Sequence, residues 1–179
     1  MQSESTGGVT RIIIPSDPLA VREALRALFD TLLLRSLPEA ERGTAEIVLA
    51  EALNNIVEHA YSTDRGEIEL TLRLSHSELA CRITDSGAPM PAGQLPEGAL
   101  KPLVPPDDLP EGGFGWFLIR TLARDLHYRR INGQNQLSFC LNAGQSSARE
   151  MIVSNWDDMT QQRQNFPVNA PQRSAINDL

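Results

Sequence analysis

The chain has 179 residues, 41% of them hydrophobic, and a formal net charge of −7. This length suits one domain with a hydrophobic core and an additional tail. The negative charge argues against a nucleic acid or an acidic membrane as the main partner, and basic residues cluster only at Arg129-Arg130. Because the polar first residues carry no signal-peptide pattern and no apolar run is long enough to span a membrane, we expect a cytoplasmic protein. Cys81 and Cys140 both lie in apolar runs, so we expect buried thiols in a reducing compartment.

The first third of the chain is predicted to form a strand and two helices. The strand covers residues 9–15. The first helix begins at Asp17-Pro18, where the aspartate caps the N-terminus and the proline fits the first helical position. The second helix is predicted over residues 38–61.

An antiparallel hairpin follows, with the clearest alternation of apolar and polar residues in the chain. Its strands cover residues 67–74 and 79–85, with a short connection between them. On the second strand the apolar residues share the core face, and the same alternation puts Asp85 on that face. A carboxylate directed towards the core at the end of a strand is costly unless it has a partner.

Residues 88–111 contain seven of the twelve prolines of the chain, which is typical of a long loop or lid. A short apolar helix at residues 116–123 comes next. Two further strands are joined by Asn132-Gly133, a strong signal for a tight hairpin turn.

These elements predict an α/β (α+β) two-layer sandwich, with a mixed or mainly antiparallel sheet covered on one face by three helices. Residues 9–142 are assigned to one domain, which includes the lid at residues 88–111. Residues 1–8 and residues 143–179 are predicted to be flexible ends.

Three polar features that are distant in sequence are expected to meet on the helix side of this sheet. They are Glu51 and Asn55 one turn apart on the second helix, Asp85 and Gly87 at the strand end, and Gly112, Gly113 and Gly115 before the third helix. Each feature alone is also typical of a solvated helix edge or a plain turn. A nucleotide with Mg²⁺ satisfies all of them together.

The side chains match the parts of a nucleotide. Asp85 can accept a hydrogen bond from the exocyclic amino group of adenine, and Gly87 allows the backbone to approach the base. Asn55 offers a carbonyl oxygen to Mg²⁺, and Glu51 can accept a proton from an attacking hydroxyl or orient it. The N–H groups of the glycine run suit phosphate oxygens.

Three short motifs carry a resemblance to a known superfamily. Glu51-x-x-x-Asn55, Asp85-x-Gly87 and Gly113-x-Gly115 resemble the N, G1 and G2 boxes of the GHKL (Bergerat-fold) ATPases. Within that superfamily, the chain from Val9 to Leu141 is similar to the anti-sigma-factor serine/threonine kinases of bacterial partner-switching systems.

The resemblance implies a function and roles for the site residues. The kinase would depend on ATP and Mg²⁺, would usually be a dimer, would phosphorylate a STAS-type anti-sigma-factor antagonist and would bind a sigma factor. The resemblance also implies that Asn55 holds Mg²⁺, that Glu51 is the catalytic base and that Asp85 binds adenine. The resemblance implies that Gly87, Gly113 and Gly115 shape the pocket.

Two other functions stay open. The lid contains one cation, Lys101, and no arginine, which favours a binding module that regulates by sequestering its partners without phosphotransfer. A detached catalytic domain of a histidine kinase is the third alternative, and it would require the phosphoacceptor histidine to lie in another protein. The pair of Glu51 and Asn55 favours the kinase, because binding alone needs no base.

Overall fold

The computed structural model describes residues 8–62, 64–75, 77–98 and 114–144, together with the backbone of Ser3–Thr6. They belong to the first of two compact units of the chain, Met1–Ser146. The described residues do not include Gly112, Gly113, the lid from residue 99 onwards or the tail from residue 145 onwards.

The described elements follow the predicted order, with an additional strand at the N-terminal end and a short additional helix between the first two predicted helices. Their bounds are β1 Ser3–Thr6, β2 Val9–Pro15, α1 Pro18–Phe29, α2 Leu32–Arg35, α3 Glu39–Asn55, a π-helical turn Ile56–Ala60, β3 Glu67–Leu74, β4 Glu78–Asp85, a 3₁₀ turn Pro91–Gly93, α4 Phe114–Leu122, β5 Arg124–Ile131 and β6 Gln134–Asn142. None of the helices in this part of the chain is long and apolar enough to cross a membrane.

The strands form one sheet in the order β1-β2-β3-β4-β6-β5, and every neighbouring pair is antiparallel. Alternate residues of the four central strands are buried on a single face, where they pack with α1, α3 and α4. The predicted two-layer α/β sandwich with one covered face is therefore confirmed.

Local signals in the sequence account for two of the element boundaries. The Asp17 carboxylate accepts hydrogen bonds from the N–H groups of Leu19 at 3.0 Å and Ala20 at 3.2 Å, so it caps α1 as predicted. Asn132 and Gly133 have φ angles of 50° and 80°, which is the left-handed geometry of a two-residue hairpin turn between β5 and β6.

Described residues outside the predicted domain of residues 9–142 also contact it. Ser3–Thr6 form an edge strand paired with β2, and the flexibility of residues 1–8 stays a prediction. At the other end, Ala143 is fully buried and its N–H donates to the carbonyl of Ser77 at 2.9 Å. The folded domain therefore extends beyond residue 142.

The second helix and the cysteines also differ from expectation. The α-helix ends at Asn55 and continues as a π-helical turn, Ile56–Ala60, whereas the sequence predicted regular helix to residue 61. Cys81 is buried as expected, but Cys140 is only half-buried, because it alternates with the core residues of β6. Both thiols are free.

Candidate functional site

A cavity of about 390 Å³ lies between the helical layer and the ends of β4 and β6. Its volume is within the range of about 300–1,000 Å³ that is typical of small-molecule sites. Asn55 and Asp85 both line it, so the structure brings together two of the predicted site residues that lie on different elements. Met90 and Trp116 contribute apolar surface to its walls.

Asp85 is the last residue of β4 and is only 5% exposed. One carboxylate oxygen, Oδ1, accepts hydrogen bonds from the N–H of Gly87 at 2.9 Å and from Nδ2 of Asn135 at 2.8 Å. Among the described residues, no group donates to the other oxygen, Oδ2. This oxygen is therefore available to a donor on a ligand.

Burial raises the pKa of the Asp85 carboxyl above its ordinary value of 3.8. The hydrogen bonds from Asn135 and Gly87 and the positive charge of Arg130 oppose this effect on the pKa. Asp85 lines the cavity and keeps one carboxylate oxygen without a donor among the described residues. The site is consequently prepared for a ligand with an N–H or O–H group.

Gly87 lies against the end of the π-helical turn. A Cβ atom at this position would be 2.5 Å from the carbonyl oxygen of Ala60, and the N–H of Ala88 donates to the same oxygen at 2.9 Å. Only glycine fits between these backbones without a shift. The structure therefore explains Gly87 by its contact with the helix end, and its contact with a base stays a prediction.

Gly115 is the second residue of α4 and faces the polar pair on α3. A Cβ atom there would be 2.5 Å from Oε2 of Glu51 and 3.3 Å from Nδ2 of Asn55. The structure thus joins Glu51, Asn55 and Gly115 in one cluster, as the sequence predicted. Glu51 is half-buried, and among the described residues its carboxylate has no hydrogen-bond partner.

The amide nitrogen of Asn55 is buried and has no hydrogen-bond partner among the described residues. A buried donor without a partner costs about 1–3 kcal/mol. A ligand atom that accepts from this nitrogen would remove that cost. The position directly precedes the π-helical turn, a feature that is frequent at functional sites.

The first part of the predicted lid is held against the body of the domain. The guanidinium of Arg120 on α4 donates to the carbonyls of Pro96 at 2.7 Å and Leu95 at 3.3 Å. Gly98, with a φ angle of 66°, packs against the backbone of Trp116. The later part of the lid, including Lys101, lies outside the described residues.

Asn135 was missed as a site residue in the sequence analysis. It lies opposite Asp85 in the pairing of β4 with β6, is 5% exposed and lines the cavity. The alternation that buries Leu137 and Phe139 also puts Asn135 on the core face. The parity argument that identified Asp85 could therefore have identified Asn135 as well.

Comparisons with known proteins agree with this geometry. A family model described as a histidine kinase-like ATPase domain matches residues 14–141. The chain is similar to proteins named serine-protein kinase RsbW from Bacillus thuringiensis (strain Al Hakam) and Bacillus cereus (strain 03BB102), with 34% identity over 94 residues in each case. The alignment covers 51% of this chain and 59% of these relatives, so the chain matches little more than half of their length.

Among solved structures, a blue-light activated histidine kinase of Erythrobacter litoralis EL346 is similar to this fold. Its TM-score is 0.42 and its sequence identity is 20%. The match covers 69% of this chain and 39% of that protein.

Proposed function

The chain belongs to the family of histidine kinase-like ATPase domains, and we propose that it is an ATP-dependent serine/threonine protein kinase. The observation that carries the proposal is the convergence of Asp85, with one free oxygen, and Asn55, with an unpartnered buried amide, on one cavity. The similarity to proteins named serine-protein kinase supports the choice of acceptor residue.

ATP fits the chemistry of the cavity. The free Oδ2 of Asp85 accepts a hydrogen bond from the amino group of adenine, which guanine lacks at that position. Apolar walls from Met90 and Trp116 suit the faces of the purine ring. Gly112, Gly113 and Gly115 would lie along the phosphates, where their N–H groups donate to phosphate oxygens.

The donors around Asn55 fit Mg²⁺. A carboxamide oxygen is a hard ligand, and Mg²⁺ takes few protein ligands because it keeps several waters. Asn55 would hold the ion through this oxygen, while its buried Nδ2 is left to donate to a phosphate oxygen or a water. When bound, the ion neutralises charge on the phosphates.

Glu51 is proposed as the catalytic base. Its carboxylate lies beside Gly115 and one helical turn from Asn55. The hydroxyl of the substrate serine attacks the γ-phosphorus, the bond to the β-phosphate oxygen breaks, and ADP leaves. The hydroxyl proton passes to Glu51 in this step.

The proposed substrate is a STAS-domain anti-sigma-factor antagonist, and the proposed second partner is a sigma factor that the kinase sequesters. Similarity to the RsbW proteins supports this pair of partners. We propose that this function belongs to a cytoplasmic, homodimeric protein whose ATPase domain includes residues 9–142, with the lid at residues 88–111. No direct contact with nucleic acid or membrane is part of the proposal.

One observation favours a second function. The lid sequence has Lys101 as its one cation and has no arginine, and an arginine would stabilise the charge that develops on the transferred phosphoryl group. A module that binds nucleotide and sequesters its partners without transferring phosphate needs no such residue.

Phosphotransfer to the cognate STAS-domain protein in the presence of Mg-ATP tests the proposal. Wild-type protein should produce phosphoserine or phosphothreonine on that protein, detected by mass spectrometry. Glu51→Gln should retain ATP affinity and lose turnover by about a hundredfold or more. Glu58→Gln is the matched control, because Glu58 is exposed in the neighbouring turn, and it should behave as wild type.

Absence of phosphorylation in the wild type, together with stable binding of the STAS protein, would replace the kinase with the sequestering module. Equal turnover in Glu51→Gln and wild type would show that Glu51 is not the base. The kinase proposal would then have no residue assigned to accept the hydroxyl proton.

A further inference from the structure

The carboxamide of Asn135 connects the end of β4 to β5. Its Nδ2 donates to Oδ1 of Asp85 at 2.8 Å, to the carbonyl of Ala88 at 3.0 Å and, at a longer distance of 3.4 Å, to the carbonyl of Gly87. Its Oδ1 accepts from the Tyr128 hydroxyl at 2.7 Å and from Nη1 of Arg130 at 2.6 Å. All polar atoms of this side chain therefore have protein partners.

Since its hydrogen-bonding capacity is filled by protein groups, Asn135 affects a ligand through Asp85. The torsion that rotates a carboxylate is soft, so the orientation of Asp85 depends on the donors that bind it. The N–H of Gly87 and the amide of Asn135 both bind Oδ1. Together they keep Oδ2 as the oxygen that remains free.

Tyr128 extends this network to the base of the lid. Its hydroxyl donates to Asn135 and accepts a hydrogen bond from the N–H of Met90 at 3.1 Å. Arg130 adds a bond of 2.9 Å to the carbonyl of Gly87. Side chains from β5 and β6 thus hold both the carboxylate and the chain segment that follows it.

We propose that Asn135 is a positioning residue that fixes the carboxylate of Asp85 so that its free oxygen meets the 6-amino group of adenine. Tyr128 supports it by holding the oxygen of the Asn135 carboxamide. This inference rests on the proposed function, because it assumes that the cavity binds an adenine nucleotide.

Two ligands that differ by one group test the inference. They are ATP and purine riboside 5′-triphosphate, which lacks the 6-amino group. Calorimetry on the full chain with Mg²⁺ should show that the wild type prefers ATP by about tenfold or more, the value of a hydrogen bond to a charged group. In Asn135→Ala the affinity for ATP should fall by about tenfold while the affinity for the analogue changes by less than about twofold. If Asn135 had a merely structural role, its loss would lower the affinities for both ligands equally and leave the ratio of the two affinities unchanged.

Gln136→Ala is the matched control. Gln136 is the next residue of β6, alternates to the opposite face and accepts a bond from Nε of Arg129 at 2.8 Å, so its loss should leave the ratio at the wild-type value. Tyr128→Phe is a milder variant that keeps the ring, and it should reduce the preference for ATP by about threefold. If Asn135→Ala does not fold, the ratio of the two affinities in Tyr128→Phe still tests the inference.

The outcomes separate this inference from the proposed function. A wild type that does not distinguish the two ligands overturns the adenine contact of Asp85, and the role of Asn135 with it. A wild type that prefers ATP, with the same preference in Asn135→Ala and Tyr128→Phe, overturns the positioning role alone.

Discussion

Replacing Gly115 with alanine should separate the stability of the fold from its proposed catalysis. The new Cβ atom would lie 2.5 Å from Oε2 of Glu51, and such contacts in proteins are not closer than 3.0 Å. The carboxylate must therefore move by at least about 0.5 Å. It can do so because it lies at the end of a flexible side chain without a hydrogen-bond partner among the described residues.

The two consequences of Gly115→Ala have opposite signs. Alanine is a better helix former than glycine by up to about 1 kcal/mol, so the free energy of unfolding should stay the same or rise. A displaced base reduces turnover, and a shift approaching 1 Å costs about a hundredfold, so we expect a loss of about tenfold to a hundredfold in kcat. The affinity for ATP should change by less than about threefold, since alanine keeps the backbone N–H group at position 115, and Asp85 and the apolar walls of the cavity do not change.

Gly43→Ala provides the matched control. Gly43 is also helical, and a Cβ atom there meets nothing within 4 Å. This variant should gain stability by about 0.5–1 kcal/mol and keep the turnover of the wild type. Thermal unfolding, ATP calorimetry and phosphotransfer rates on the three proteins supply the comparison. Turnover of Gly115→Ala within about twofold of the wild type would refute the placement of Glu51 as a base beside this glycine.

Two further substitutions and one labelling experiment test the site and the core. Because burial raises the pKa of Asp85, the folded protein binds a proton more tightly than the unfolded chain, and the ionised carboxylate costs stability above that pKa. Asp85→Asn should therefore raise the unfolding temperature of the ligand-free protein at about pH 7.5. The same substitution should lower the affinity for ATP by about tenfold or more, because an amide N–H then faces the adenine amino group. A lower unfolding temperature would contradict the expected direction of the stability change. Gly87→Ala should lower the free energy of unfolding by about 1–3 kcal/mol in denaturant titrations, since its Cβ atom would lie 2.5 Å from the backbone oxygen of Ala60. An unchanged free energy of unfolding would show that the π-helical turn shifts to make room for the methyl group. Burial and the nearby Glu78 carboxylate raise the pKa of the Cys140 thiol to about 11, and burial raises the pKa of the Cys81 thiol still further. Thiol reagents at about pH 8 should therefore label Cys140 slowly and Cys81 only after denaturation. Equal labelling rates of the two thiols in the native protein would contradict this expectation.

Periodicity predicted most of the fold because burial on one face of a sheet leaves a pattern with a period of two. That pattern located β3 and β4 and put Asp85 inward. The same alternation on β6 identified its apolar core residues. It did not lead to Asn135, although Asn135 lies on the same face of the strand. The edge strand β1 has no such pattern, and its pairing with β2 could not be predicted from composition.

Local chemistry decided the cap at Asp17 and the turn at Asn132-Gly133, since both depend on residues within a few positions of each other. The spacing of Glu51 and Asn55 likewise follows from the helical repeat. These features are determined by the sequence itself.

The contacts between residues that are distant in sequence depend on how the strands and helices pack together. Asn135 reaches Asp85 because the register of β4 against β6 places them opposite each other. Gly115 touches Glu51 because α4 packs on α3 at that turn. A hydrogen bond or a steric contact depends on tenths of an ångström, and only the packed arrangement of layers and strands sets distances of that size between residues far apart in sequence.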